Sequence, residues 1–555
     1  MPLSSWGKRR SWAPAALALS VLLVGACGGS DTSAGGQDED DLTPQAGGAL
    51  TMAIEADSSG FFPPVVSGRG MIMQSIYDTL MAVDDKGSVK PYMAESLTPN
   101  ADFTVWTLKL RPGVMFHDNT PLNAAAIKDN VDNYHRASGS RTAPIVAVVR
   151  SVDVVDDLTV TYSLAGPNGA FPSLLSGVLG MPFSPTAVNA IGKDKFTSAP
   201  VGAGPFVFVS WQRDSALVVK KNQNYWQKDK GLPYLDQITF VPIPDEDARL
   251  ATLLSGETDI MQTVRQAHLV RRAAADGSIK NYPHIGNVVA SINFNMGKPP
   301  TDDLRVRKAL AWAVDQRELI SVQGLEEVAP VVKQLFAKDS PYYSPRADDA
   351  FAHNDMGKAK ALLREYINDP TRSDGKPVGT PPFATLQTTA GVSSLNDLML
   401  VYQARWKEAG MDIELVFFDQ ATLVQRITGT APDFKGQFDI STHRNGSDDD
   451  PDVFYNSYAA RTNAANLLDI DDARVRELVE QGRASGDPEV RKKIYQDLMV
   501  RVNELQAYTF HGGLATALGA KPDIKNIAGW KLPDGSLGEG HPGASPRFVE
   551  IWRQR

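Results

Sequence analysis

A single cysteine, Cys27, stands in a chain of 555 residues, so no intrachain disulfide can close a loop and no cysteine pair can bind metal or cycle redox state. The folded body is therefore expected to be held by its core alone. Length adds a second constraint. One hydrophobic core stops growing at roughly 250 to 300 residues, so at least two lobes are expected, with a cleft between them. The formal charge of −9 argues against nucleic acid as a partner and against attachment to an anionic membrane through basic contacts.

The position of Cys27 is as informative as its solitude. Lys8, Arg9 and Arg10 form a basic segment, Ala13 to Ala26 an apolar run of signal-peptide length, and Val24-Gly25-Ala26-Cys27 ends it with small residues. This ending resembles a bacterial lipobox, with Val24 where leucine is commoner. It implies a signal peptide over residues 1–26 and lipid on Cys27; the alternative is an ordinary signal peptide cleaved nearby. Arg9-Arg10 faintly resembles a twin-arginine signal, but Ser11-Trp12-Ala13-Pro14 fits that pattern poorly, and general secretion is the expected route. The apolar run is shorter than the roughly 20 residues that span a bilayer, so attachment would rest on lipid, and stable anchoring needs more than one acyl chain. Loss of Lys8, Arg9 and Arg10 takes the remaining charge to about −12. Gly28 to Gly48 is almost devoid of apolar side chains, a composition that cannot offset the entropy of ordering it, so 27–47 reads as lipidated cysteine plus flexible tether. Asp38-Glu39-Asp40-Asp41 is read as a self-repelling spacer within it.

The body mixes strand and helix signals. Ala49 to Ile54 is strand-like and runs into the polar turn Glu55 to Gly60, and Phe103 to Leu110 alternates until Arg111-Pro112-Gly113 breaks it. Thr159 to Leu164 and Leu217 to Lys221 read as strands, and Ala124 to Tyr134 as a helix. Asp302 or Asp303 can cap a helix whose stripe is Val306, Leu310, Ala313 and Val314. Asp487-Pro488 is an N-cap with proline at the first helical position, followed by a predicted core stripe of Val490, Ile494, Leu498 and Leu505. No internal repeat is visible, and the expected class is α/β.

Enzymatic motifs are missing: the sequence contains no G-x-S-x-G, H-E-x-x-H or G-x-x-x-x-G-K-[ST]. Gly202-Ala203-Gly204-Pro205-Phe206 lacks the third glycine of a dinucleotide fingerprint and is read as a turn in which both glycines permit a tight bend. The eight histidines never fall within a helical turn of one another, which excludes a local metal motif. No catalytic residue, metal or other cofactor is expected.

Several segments, in order, resemble the extracytoplasmic solute-binding proteins of ABC importers, in the family with oligopeptide-, dipeptide- and nickel-binding members. They begin with Gly47-Gly48-Ala49-Leu50-Thr51 and Pro91-Tyr92-Met93-Ala94-Glu95-Ser96, and are strongest in Leu108 to Asp118 followed by Thr120-Pro121-Leu122. Pro200 to Phe206, Asn224-Tyr225-Trp226, Leu254 to Ile260, and Asp303 to Leu310 with Ala313-Val314-Asp315 continue the series.

The resemblance implies a two-lobed periplasmic-binding-protein-like α/β fold with an extra domain inserted in the first lobe. Lobe I would be 48–80, 183–287 and 515–555, the insert 81–182, and lobe II 288–514. A small-molecule solute, an oligopeptide or dipeptide, would sit between the lobes of a monomer. The loaded protein would dock on ABC permease subunits, and the lipid would hold it on the outer face of the bacterial cytoplasmic membrane. In peptide-binding relatives a carboxylate shortly before an acidic-proline step holds the ligand's amino group. With Asp450-Pro451 on that step, the carboxylate's place falls on Ser447 and a usual tryptophan's on Arg444. Asp448 substitutes after a one-residue shift, whereas Arg444 suits a carboxylate or phosphate oxygen. Asn445, Asp57, Ser58, Asn293 and Asn295 complete the candidate solute contacts. Two other readings stay open at this stage: an exported lipoprotein hydrolase acting on peptide or glycan, and a non-transport envelope receptor on the same fold.

Overall fold

The computed structural model describes residues 42–66, 70–137, 142–264, 266–390, 393–428, 436–445, 450–458 and 466–555. The signal peptide, Cys27, most of the tether, Ser447 and Asp448 lie outside the described residues.

A ten-stranded mixed sheet runs through residues 44–555 in the order 412–418, 383–389, 440–445, 280–294, 508–520, 260–263, 49–54, 237–242, 216–221, 206–212. Its centre is formed by two long strands, Lys280–Phe294 and Tyr508–Ala520, which pair antiparallel over nearly their whole length. The pairing slips between Ile285 and Val289. Before that break 280–285 pair with 515–520, and 517–520 carry the neighbouring strand Ile260–Thr263. After it 289–293 pair with 508–513, and 289–294 carry Ile440–Asn445. Apolar burial divides the same way: Leu518 and Ala520 belong to a core with Leu50, Phe240 and Trp530, while Ile292 and Phe294 belong to one with Leu310, Leu386 and Trp406. The two long strands thus each run past more than one core, with Tyr508 and Phe510 in a third cluster, and an irregular pairing is where such a connection bends.

The local signals act as expected where they depend on neighbours in sequence. Ala49–Ile54 pairs parallel with Gln237–Pro242 and Ile260–Thr263, and its apolar run is mostly buried. Trp106, Leu108 and Leu110 face a core from Val105–Leu110. Asp303 Oδ1 accepts from Arg305 N at 2.8 Å, and Asp487 Oδ1 accepts from Glu489 N at 2.9 Å, each opening its helix.

Three readings are corrected. Val490 is 48% exposed; of the predicted stripe Leu498 is buried and Ile494 and Leu505 pack on the same core, and the helix Pro488–Glu504 also buries Arg491, Tyr495, Met499 and Val502. Tyr495 packs on Gly482 of the preceding helix, where a Cβ would meet its ring at 2.7 Å, and the first turn leaves Val490 outside that contact. Gly202 and Gly204 have no left-handed φ; they are glycine because the chain passes over Ile76, whose carbonyl carbon would lie 2.6 Å from a Cβ at Gly204. Finally, the end of the predicted tether is tied down. Gln45 Oε1 accepts from Arg555 N at 2.9 Å, Gly47 N donates to Tyr234 O at 2.7 Å and Gly48 N to Asp236 Oδ2 at 3.0 Å. Hydrogen bonding to distant parts of the chain supplies what composition alone lacks.

Between residues 94 and 164 a separate four-stranded antiparallel sheet forms in the order 94–99, 105–110, 159–164, 149–156. It shares the Leu50 core through Trp106, Leu108 and Tyr162. Residues beside this sheet also reach the other half of the molecule. Gly169 N donates to Arg483 O at 2.8 Å, and a side chain at Gly486 would meet the Phe103 ring at 2.5 Å. The two halves therefore meet away from the shared strands as well as through them.

Candidate functional site

The shared strands open into a cavity of about 460 Å³. One wall comes from Gln266 and His268 at the start of the helix Ala267–Ala273, the floor from Ala290 and from His511 to Ala515 on the two long strands, and the far wall from Leu325, Leu423, Ile427, Thr442, His443 and Arg444. Residues from both sides of the pairing break thus enclose one space. Gly512 (φ 140°) and Gly513 keep the floor flat: a Cβ on Gly513 would lie 2.7 Å from Pro330 Cγ, and Gly513 N donates to Pro330 O at 2.9 Å.

Burial controls the protonation of the lining. Desolvation pulls His511 down to about 3 and His443 down to about 4, the latter helped by the Arg444 cation, and burial also lowers His268. At neutral pH these imidazoles are uncharged. His511 meets the Tyr402 ring edge-on at 6.1 Å, and the buried Nδ1 atoms of His511 and His268 have no protein partner. Among the described lining residues there is no carboxylate. The chemistry is an apolar body with imidazole and guanidinium groups at its edge, suited to a solute carrying hydrogen-bonding groups on an apolar frame.

A side chamber of about 140 Å³ adjoins the cavity and shares His443 and Arg444 with it. Asn293, Asn445, Phe454, Tyr458, Leu468 and Tyr508 are among its lining residues. Strand pairing places Asn293 and Asn445 on adjacent strands, and Asn445 Nδ2 donates to Asn293 Oδ1 at 2.6 Å as well as to Ser291 Oγ. The hydroxyls of Tyr458 and Tyr508 bond to each other.

The sequence profile of the bacterial extracellular solute-binding proteins, family 5 middle, matches residues 88–466. The chain belongs to this family. Similar relatives include the glutathione-binding protein GsiB of Pectobacterium atrosepticum, 28% identical over 367 residues, 64% of this chain and 66% of that protein. The GsiB of Salmonella typhi is 28% identical over 402 residues, 71% of each chain. Among solved structures, the oligopeptide-binding protein AppA of Bacillus subtilis in complex with a nonapeptide superposes with a TM-score of 0.77 at 21% identity, covering 92% of this chain and 100% of that one. AgaA of A. tumefaciens R10 in complex with agropinic acid gives 0.78 at 22% identity, covering 92% and 99%. At such identities the likeness is one of fold, the two-lobed periplasmic-binding-protein arrangement.

For this solute-binding family member, the candidate contacts separate by position. Arg444, Asn445 and Asn293 come together at the side chamber, and Arg444 also lines the main cavity. Asp57 and Ser58 do not reach either space; they line a separate surface cavity with Arg213 and Asp214. The Asp57 carboxylate there accepts from Trp211 Nε1 at 2.9 Å and from Asp214 N at 2.8 Å, holding a hairpin, and Ser58 Oγ donates to Gly60 O at 2.8 Å. Asn295 is buried in a turn, donating to Phe438 O at 2.9 Å and accepting from Gly297 N at 3.1 Å. Ser447 and Asp448 lie outside the described residues. Beyond them Asp450 is paired with Arg491, and Asp452 takes a two-point contact from Arg483 at 2.8 and 2.7 Å. Sequence reasoning missed His268, His511 and the Gly512-Gly513 floor; the one available signal was a glycine pair inside a strand-like run. Among the described residues no group of three or more His, Cys, Asp or Glu side chains is placed to hold a metal ion, and no helix is long and apolar enough to cross a membrane.

Proposed function

We propose that this protein captures a short peptide between its two lobes and delivers it to the permease subunits of an ABC importer, acting as a monomer held to the outer face of the cytoplasmic membrane by lipid on Cys27. The observation that carries this reading is the cavity at the strand crossing, whose walls come from residues on both sides of the pairing break. A ligand favours a closed state only by contacting both halves, because only then does its affinity differ between open and closed forms. Relatives named for glutathione and a fold neighbour holding a nonapeptide support a peptide. The volume of about 460 Å³ lies toward the small end of ligand sites of roughly 300–1,000 Å³, which favours a short one.

Thermal-shift and calorimetric titrations with glutathione and with di- to pentapeptides test the reading. At a hundredfold excess over Kd a bound peptide is expected to stabilise the protein by about 2.7 kcal/mol. No shift with any of them, together with no peptide co-purifying in native mass spectrometry, would defeat it. For the anchor, Cys27→Ser is expected to move the protein from the membrane fraction to the soluble one; unchanged sedimentation with membranes would rule the lipid out. A tether keeps the loaded protein near its permease by raising effective concentration.

A further inference from the structure

The stretch that leads from the helix Gln316–Val322 to Val332 is fixed to one side of the pairing break at both ends and to the other side in its middle. Its first end is the helix terminus. Gly324, at φ 67°, donates through N to Ser321 O at 2.9 Å, and Leu325 N donates to Ile320 O at 3.1 Å. Leu319 of that helix lies in the core of Ile292 and Phe294. The last end returns to the same helix: Gln316 Nε2 donates to Val332 O at 2.6 Å, and Gln316 Oε1 accepts from Val332 N at 3.0 Å. Between these ends Val328 packs on a cluster with Leu253, Met261, Val270 and Ala515. Every other described member of that cluster lies in residues 53–279 or is Ala515 or Ala517, on the side where 515–520 pair with 280–285. Beside it Arg271 Nη1, on the helix Ala267–Ala273, donates to Glu327 O at 2.9 Å and lies 3.5 Å from Glu327 Oε2.

A loop anchored on one half and plugged into the other is a strap across their seam, and this seam is part of the cavity wall. Gln323, Leu325 and Ala329 of the strap line the main cavity together with Gln266 and His268 at the start of the facing helix. The halves cannot separate here without withdrawing Val328 and breaking the Arg271 contact. The contact is also light. Val328 is half-buried, and the Arg271 and Glu327 side chains are 50% and 62% exposed, where an ion pair adds little. A contact of that size can be made and broken at every loading.

Building on the peptide-capture reading, we propose that residues 323–331 are a release latch. Docked on the helix Ala267–Ala273, the strap closes the wall beside the solute, and its undocking sets the rate at which solute leaves. The docked contact belongs to the closed form alone, so weakening it moves the population toward the open form and shows mainly in dissociation.

Release of tritiated di-, tri- or pentaalanine, whichever the wild-type full chain holds most tightly, tests this after a chase with unlabelled peptide. Val328→Ser removes the half-buried plug and is expected to speed release about fivefold, with the association rate within about twofold of wild type. A second variant avoids any question of folding, because the side chains it replaces are exposed. Arg271→Cys with Glu327→Cys in a Cys27→Ser background makes the new pair the only thiols in the chain. Joined after loading by a reducible bis-methanethiosulfonate linker, this pair is expected to slow release by about tenfold or more, and reduction of the linker to restore it. Release from the joined pair at the unjoined rate, or from Val328→Ser at the wild-type rate, would overturn the latch and leave peptide capture standing. Failure of wild type to hold any of the three peptides would overturn peptide capture, and the latch with it.

Discussion

Replacement of Asp78 by alanine is expected to destabilise the Leu50 core by about 3–5 kcal/mol, the cost of leaving a buried charge without its partner. Asp78 is 1% exposed and sits at the end of the helix Met71–Tyr77. Its Oδ2 accepts from Tyr225 Oη at 2.7 Å and Trp226 Nε1 at 3.2 Å, and its Oδ1 lies 3.6 Å from Arg547 Nη1. Arg547 is held over the Trp530 and Tyr92 rings at 4.6 and 5.3 Å. Removal of the carboxylate strands the guanidinium and two aromatic donors inside the core together. Thermal unfolding is the measurement, read on the first transition because a chain with several cores need not unfold in one step. A drop of about 10 °C is expected; a change below about 2 °C would show that the network adds nothing. Asp78 also has a pH signature. Burial raises it to about 6 against the lowering influence of Arg547, Tyr225 and Trp226. Its folded value exceeds its unfolded one, so its contribution is full below about 4 and declines as pH rises through 6.

The histidines act in the opposite direction and with greater combined effect. Acidification from pH 7 to pH 4 is expected to remove several kcal/mol of stability through the buried histidines His511, His541, His443 and His117, all held by burial at about 3 to 4. Burial lowers His511 to about 3, and burial with the neighbouring His284 lowers His541 to about 4. The unfolded chain binds protons near pH 6.5 while the folded one refuses them, so the contribution is full above 6.5 and is lost as pH falls toward 4. Each tenfold difference in proton affinity between the folded and unfolded chain is worth about 1.4 kcal/mol, so each histidine accounts for roughly 3 kcal/mol by the end of that window. Urea midpoints at pH 7.5, 6, 5 and 4 measure it. His511→Asn and His541→Asn, each uncharged throughout, are expected to flatten the dependence. A wild-type profile level from 7.5 to 5 would refute the assignment. In the solute cavity His443 and His511 should stay uncharged over the same upper range.

How far the sequence can be read depends on the range of the interaction involved. The Asp303 and Asp487 caps and the strand at 105–110 are legible because the groups that decide them are within a few residues of one another. Val490 is misread because what the first turn of its helix packs on, with Tyr495 against Gly482, is set by another helix. Gly202 and Gly204 sit at the bend read from the sequence, at 203–205, but what excludes a side chain there is the Ile76 backbone. Residues 45–48 look like free tether because their partners are Tyr234, Asp236 and Arg555, far along the chain. At the site, Arg444, Asn445 and Asn293 are reached through the family resemblance, and cross-strand pairing places them together. His511 and His268 are invisible, since a lone histidine has no pattern until the strands around it are paired.

By itself the sequence determined that disulfides take no part, that one core is too few, that the class is α/β, and that the chain carries the ordered blocks of a solute-binding family. The tertiary structure alone decided where the pairing of the two long strands breaks, which carboxylates are consumed in holding loops, and which buried amide nitrogen, that of Asn293, is left without a protein partner. The division has a physical cause. Composition, capping and strand alternation are local or additive properties of the chain. A shared strand, a filled carboxylate and an orphaned donor are defined by groups far apart in the chain, as Asn293 and Asn445 or Asp57 and Trp211 are.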